Sequence, residues 1–275
     1  MSAEEVGRGT KTYRRTTYPA IDVTQPLLST KGRSAVVTGA GQGIGASIAR
    51  SLAQLAELAP HCKVFTYTVD ITDEEAVNNG FAGFAADIGE SHPIDILVAN
   101  AGYMSDLGSL DKVDPKNWWS AFEINIKGNF HLIRAYLKYA PKSEDGRLGA
   151  VIHVSSSSMH GPYIPDFSGY RASKAGATKL FELFQNEHPE LFVLQIHPGL
   201  VGGTDMHSKF AHTTGGFEFD DEQLSGDFVV WSLSPSARFL NGRFIHANWD
   251  VDELRAKKDE ILKDPEMYTI GLIGW

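Results

Sequence analysis

Short apolar runs alternate along this chain with segments whose apolar residues recur every three or four positions. Residues 34–37 (SAVV), 63–69 (KVFTYTV), 95–98 (DILV), 150–154 (AVIHV), 192–196 and 243–247 (RFIHA) read as strands. Between them the spacing predicts helices. One carries Ile44, Ile48, Leu52 and Leu55 and stops at Pro60; the next carries Val77, Phe81, Phe84 and Ile88, with Thr72 or Asp73 as its cap. Pro115 suits the first turn of a long helix with the stripe Trp119, Phe122, Ile126, Phe130, Ile133 and Leu137. Two more helices are expected at about 170–186 and at 251–262, and residues 200–225, rich in glycine and polar groups, read as a loop or lid with short helices. Alternating strands and helices predict one α/β domain with a doubly wound, Rossmann-type parallel sheet. Residues 1–30, polar and with Pro19 and Pro26, read as an arm with a frayed start lying over a domain of residues 31–275.

Composition narrows the function. The 275 residues are 42% hydrophobic, enough for a full core in a single domain. The net charge of −9, without a dense run of Lys or Arg, argues against nucleic acid or an anionic membrane as partner. A single cysteine, Cys62, leaves no internal disulfide and no cysteine metal cluster, and the ten histidines show no metal-ligand spacing. No apolar run approaches the roughly 20 residues of a membrane span. The polar N-terminus lacks a secretory apolar region, so a cytoplasmic protein is expected.

The stretch TGAGQGIG, residues 38–45, sits between the first strand and the first helix. Its glycines permit a sharp turn and close approach of a ligand, and the free N–H groups of a helix's first turn attract an anion such as a diphosphate. The spacing is G-x-x-x-G-x-G rather than G-x-G-x-x-G, and alone it also fits a structural loop. Tyr170 and Lys174 stand four apart on one helix face. A phenol titrates near 10, and a neighbouring ammonium lowers that value, so Tyr170 is expected to exchange a proton with a carbonyl or alcohol oxygen. Alone, this pair also fits a surface tyrosine beside a solvated lysine.

Taken together, TGAGQGIG, NAG at 100–102, the serines at 155–158, YRASK at 170–174 and PG at 198–199 stand in the order of the short-chain dehydrogenase/reductase family, which the chain resembles from about residue 30 onward. The resemblance implies an NAD(P)-dependent oxidoreductase interconverting a carbonyl and a secondary alcohol, with NADP slightly preferred over NAD. It implies Tyr170 as general acid/base, Lys174 as the residue that binds the nicotinamide ribose and tunes Tyr170, and Asn125 as holder of a proton-relay water. One serine after the fourth strand would bind the substrate oxygen. Strand register points to Ser156, 14 residues before Tyr170, and the family's commonest spacing points to Ser157, 13 before it. Ser156 is preferred, because Pro162 and Pro165 suggest a longer loop. For the cofactor the resemblance implies Gly39, Gln42 and Ile44 at the diphosphate, Asp70 at the adenine, and Asn100, Ala101 and Gly102 at the adenosine ribose. Pro198, Gly199, Val201 and Thr204 would meet the nicotinamide carboxamide, although PGLVGGT is one residue longer than usual. Asp70 alone also fits a strand-end cap, and Asn100 a turn residue. Tyr103, Met159, Tyr163, Phe167, Met206 and Phe210 fall in the substrate loops and suggest an apolar or aromatic ketone. His160, His207 and His212 lie near the expected mouth. His197 reads as a strand-end residue and Asp220-Asp221-Glu222 as a helix N-terminus. A homodimer or homotetramer is implied, paired through the two long helices.

One departure stands out. Only 24 residues (46–69) separate Gly45 from Asp70, whereas the resemblance implies a longer stretch there holding a second strand and the residue that reads the ribose 2′-position. Glu57 lies at a suitable distance but reads as a solvated helix residue. An unfilled slot would leave buried backbone groups unpaired at about 1–3 kcal/mol each. The expectation is therefore a six-stranded sheet with residues 63–69 moved to its edge, beside the first strand. The rival reading is a family member with an impaired cofactor site, kept as a binding or scaffold protein or existing as an unstable isoform.

Overall fold

Every position of the central strands is apolar or buried, which only a sheet covered on both faces accommodates. In the computed structural model, which describes residues 9–57, 62–142, 147–213 and 216–272 (backbone only for 54–57), five strands form one sheet. They are β1 (Ala35–Val37), β2 (Ile96–Ala99), β3 (Ala150–Val154), β4 (Phe192–His197) and β5 (Phe244–His246). All neighbours are parallel and the order is β1-β2-β3-β4-β5, with Val98 opposite Ile152, Ile152 opposite Leu194 and Ile196 opposite Ile245. Residues of β2 and β3 are buried throughout, whereas those of β1 are only half-buried.

Helices cover both faces. On one, α1 (Gly43–Glu57) packs against α7 (Glu222–Ser232) over a core including Ile48, Ile152, Leu194, Phe228 and Trp231. On the other, α2 (Glu74–Ile88), α4 (Asn129–Leu137) and α5 (Ser168–Glu187) enclose Phe81, Leu97, Tyr136, Val151 and Phe181. Local chemistry sets the helix starts. Asp73 accepts from the N–H groups of Glu75 and Ala76, and Asp114 caps α3 (Pro115–Phe122) ahead of the proline. The arm belongs to the same core: Tyr18, Ile21, Val23 and Leu28 are buried in the α1–α7 cluster. Its expected frayed start lies among residues 1–8, outside the described residues, as do Pro60 and the side chains of Leu55 and Glu57.

Three expectations are corrected. The sheet has five strands among the described residues, not six, because residues 63–69 form no strand and do not pair with β1. Their alternation is real, but it faces α2. Phe65 stacks edge-on against Phe84, Tyr67 bonds Asp87, and Val69 and Tyr67 lie over Gly80 and Gly83. With β1 only half-buried, its outer edge carries little of the penalty that would force pairing. The long helix is not continuous: residues Glu123–Gly128 form a π-turn between α3 and α4. The extra residue per turn rotates the later apolar positions, so Phe130 is exposed while Asn125, Gly128 and Asn129 are buried; Trp119, ahead of the π-turn, is exposed as well. The C-terminal helix breaks at Lys257 into α8 (Val251–Ala256) and α9 (Lys258–Lys263).

The α1–α7 contact rests on close approach at Gly226, where a Cβ would collide with Ser51 Oγ and lie 2.9 Å from Ser47 O. Gly226→Ala is expected to cost about 1–3 kcal/mol as an overpacked core position, read as a lower denaturation midpoint with unchanged slope; an unchanged midpoint would show that α7 can shift freely.

Candidate active site

The strands' carboxyl ends place the first group of residues. β1 runs into the glycine turn, where Gly39 and Gly43 adopt φ of +65° and +53°, conformations that disfavour a side chain. Thr38 Oγ1 accepts from the N–H groups of Asn100 and Ala101, both at 3.0 Å. The Asn100 amide donates back to Thr38 O at 2.9 Å. A Cβ on Gly45 would collide with Gly39 O and the Asn100 amide, so α1 starts hard against the end of β2. Ile44 packs its side chain into the core, leaving its backbone to the turn. Gln42 donates to Asp205 Oδ2 at 2.9 Å.

The second group meets beneath this turn. Tyr170 and Lys174, on α5, are both buried, and the Ser156 side chain lies close enough to the Tyr170 phenol to act on its pKa. The other serines face elsewhere: Ser155 bonds Thr178 Oγ1 at 2.7 Å, Ser158 Oγ accepts from Ser156 at 2.9 Å, and Ser157 starts a short 3-10 turn. Lys174 Nζ donates to Val154 O at 2.8 Å. The π-turn presents Asn125 inward, its side chain accepting from Tyr103 N and donating to Tyr103 O, both at 2.8 Å, and to Ser173 Oγ at 2.9 Å. A Cβ on Gly102 would stand 3.2 Å from Asn125 Oδ1 and 3.3 Å from Lys174 Nζ, so this glycine lies between the two.

Electrostatics here differ from the expectation that Lys174 lowers the Tyr170 pKa. Burial raises it, and the opposing influence is the neighbouring Ser156 side chain. Lys174 Nζ lies 6.0 Å from the Tyr170 ring centre and points to the β3 carbonyl, and burial brings its own pKa down to about 8. The apolar cover explains the desolvation: Met104, Phe167 and Tyr170 cluster with Leu107 and with Met206 and Phe210 of α6 (Asp205–Phe210). Lys209 of α6 donates to Met104 O at 2.8 Å and Asp106 Oδ1 at 3.0 Å, and its ammonium lies 4.5 Å from the Tyr103 ring centre. Thr204 caps α6 and its methyl lies over Gly43.

After β4, Pro198 leads into Gly199 at φ +100°, then Leu200 and the buried Val201. Asp220, read as part of a helix N-terminus, is instead buried with Oδ2 accepting from Leu200 N at 2.7 Å; its neighbour Asp221 caps α7. Asp70 does not join the site's hydrogen bonds. It is exposed, and its Oδ1 accepts from Thr72 N and Oγ1, bonds that hold its carboxyl below the usual range. Tyr163 is exposed, and Met159 lies 3.9 Å from Ser155 Oγ. His160 groups with Phe244 and His246, His207 with Phe210 and Phe219, and His212 is exposed; His197 ends β4. Lys209, Asp220 and Arg15, which pairs with Asp220, carried no local pattern that marked them.

The family profile described as short chain dehydrogenase matches residues 33–215. The chain is similar to a short chain dehydrogenase/reductase of Aspergillus aculeatus, 32% identical over 290 residues that cover 97% of each protein. Its fold is similar to that of a short chain dehydrogenase from Burkholderia cenocepacia in complex with NADP (TM-score 0.67, 22% identity, 80% of this chain and 98% of that one). It is also similar to that of the landomycin C-6 ketoreductase LanV with bound NADP and rabelomycin (TM-score 0.65, 24% identity, 82% and 97%). With a profile match over most of its length and a relative aligned nearly end to end, the chain belongs to the short-chain dehydrogenase/reductase family.

Proposed function

We propose that this protein is an NAD(P)-dependent oxidoreductase that interconverts a carbonyl and a secondary alcohol. The observation that carries the reading is the grouping of buried Tyr170, Ser156 and Lys174 under an apolar cover, at the carboxyl ends of the strands.

The chain's residues fit a dinucleotide at the diphosphate and nicotinamide ends. The glycine turn has the positive φ values and the missing Cβ space of a close ligand approach, and Gly41 faces open space. Gly39, Gln42 and the backbone at Ile44 would hold the diphosphate; Asn100, Ala101 and Gly102 the adenosine ribose; Lys174 the nicotinamide ribose; Pro198, Gly199, Val201 and Thr204 the carboxamide. At the adenine side Asp70 would contribute from its exposed turn, and among the described residues no second strand supplies a reader of the 2′-position. NADP is preferred slightly over NAD, on family analogy.

The bound cofactor supplies or takes the hydride; the proton is this chain's work. A phenol whose pKa is raised by burial stays protonated at neutral pH, the form needed to donate to a carbonyl oxygen. Ser156 orients that oxygen and stabilises the charge that develops on it. The phenolate left behind is stabilised by the Lys174 ammonium, and Asn125, locked on the π-turn, orders the polar path that returns the proton. Met104, Phe167, Met206 and Phe210 exclude water and favour an apolar or aromatic ketone. Pairing into a homodimer or homotetramer through α4 and α5 is supported by the exposed Phe130 and Leu183 on these helices.

Tyr170→Phe removes one hydroxyl and is expected to lower kcat by roughly 10²–10⁴-fold without moving the melting temperature; full turnover in that variant would end the assignment. Carbonyl reduction should be supported below about pH 8, where Lys174 is charged, and fall as pH rises through its pKa. A pH profile of kcat/KM that stays flat through that range would remove the lysine from the mechanism. Titration with NADPH and NADH, followed by nicotinamide fluorescence, should show saturable binding near a micromolar constant, about 8 kcal/mol. A cooperatively melting protein that binds neither would favour the scaffold reading.

A further inference from the structure

The arm reaches the candidate cofactor site through one buried carboxylate. The side chain of Asp220 is completely buried. Its Oδ2 accepts from Leu200 N at 2.7 Å, and its own N–H donates to Leu200 O at 2.8 Å, so it grips the turn after β4 from both sides. A Cβ on Gly199 would stand 2.7 Å from Asp220 Oδ2, which leaves the carboxylate and the turn no slack. The other oxygen, Oδ1, meets Arg15 Nη1 at 3.1 Å.

A carboxylate this deeply buried keeps its charge and place only with partners. Burial pushes its pKa up, and Leu200, Asn248 and Arg15 oppose that rise. Arg15 is itself held in register. Its carbonyl accepts from Asp221 N at 2.8 Å, and its guanidinium donates to Glu218 O at 3.1 Å and pairs with Glu218 Oε2 at 3.0 Å. The neighbouring Arg14 makes the same kind of bond to a different target: its Nε and Nη2 meet Asp250 Oδ2 at 2.9 and 2.7 Å, at the cap of α8.

We infer that Arg15 is a positioning residue: by fixing Asp220, the arm sets the backbone of Gly199 and Leu200 and hence the nicotinamide end of the cofactor site. The inference rests on the reading of the Pro198–Gly199 turn given above. It makes residues 9–28 part of the oxidoreductase machinery and gives Arg14 and Arg15 separable tasks, one holding α8 and the other the turn.

The test uses the full chain, wild type and with Arg15→Gln, Arg15→Lys or Arg14→Gln. NADPH binding is read by nicotinamide fluorescence, and ADP-ribose, which lacks the nicotinamide, by calorimetry. Melting temperature and hydrogen exchange of the Leu200 amide are followed alongside. Arg15→Gln should weaken NADPH about tenfold, the worth of one charge-assisted hydrogen bond, leave ADP-ribose within about twofold, and speed Leu200 exchange. Arg15→Lys, which keeps the cation, should recover most of the loss and serves in its own right should the glutamine variant not fold. Arg14→Gln should lower the melting temperature and leave the NADPH to ADP-ribose ratio as in wild type. Unchanged NADPH binding and Leu200 exchange in Arg15→Gln, equal loss of both ligands, or the same selective loss in Arg14→Gln would each overturn the inference. Wild-type protein that holds ADP-ribose as tightly as NADPH would refute the reading of the turn itself, and the latch with it.

Discussion

Where β1 and β2 end, Thr38 and Asn100 satisfy each other's backbone and side chain, and the edge at the strands' carboxyl ends is built outward from that tie. Parallel strands leave unpaired N–H and C=O groups at their carboxyl ends, and burial without partners would be costly. Here a hydroxyl and a carboxamide take them up. The result brings the glycine turn against the NAG segment so closely that Gly45 has no space for a methyl group. That tightness starts α1 where its first turn can face an anion, and it places Gly102 between Asn125 and Lys174.

Around this edge, burial rather than charge attraction governs the titrating groups. Tyr170 lies in an apolar cluster, so its pKa rises, and Lys174 gives its proton up more easily because it too is desolvated. The two shifts run apart: burial keeps Tyr170 protonated while it brings Lys174 down to about 8. Asn125 reaches the same place through a π-turn, which adds a residue to the helix and turns a polar side chain inward, where an uninterrupted α-helix would have continued its apolar stripe.

The stretch between Gly45 and Asp70 shows how a shortened chain settles. Residues 63–69 keep the alternation of a strand, yet their aromatic side chains lie on α2, where Gly80 and Gly83 leave room for them. β1 remains at the sheet's margin, half-buried. Elsewhere the molecule is tied more firmly than a free arm would allow. Residues 9–28 supply apolar groups to the α1–α7 core and arginines to Asp220 and Asp250, so the post-β4 turn, the start of α7 and the start of α8 all lean on one segment.

The sequence by itself determined most of the strand and helix alternation, the glycine turn, the Tyr170–Lys174 spacing, a helix start at Thr72 or Asp73 and the first-turn place of Pro115, because each is written in residues a few positions apart. Period and propensity read such local information directly. Strand register and the loop prolines favoured Ser156 over Ser157, and tertiary structure sets Ser156 nearest in influence on Tyr170, since four adjacent hydroxyls differ only in the direction the chain turns after β3. It decided that residues 63–69 pair with a helix, since alternation marks a face without naming its partner. It decided that the π-turn rotates the helix, and that burial overrides the lysine in setting the tyrosine's pKa. It also decided that Asp220 is a buried grip rather than a helix cap. These outcomes depend on contacts between residues up to about two hundred positions apart, such as Arg15 with Asp220, and no local pattern carries them.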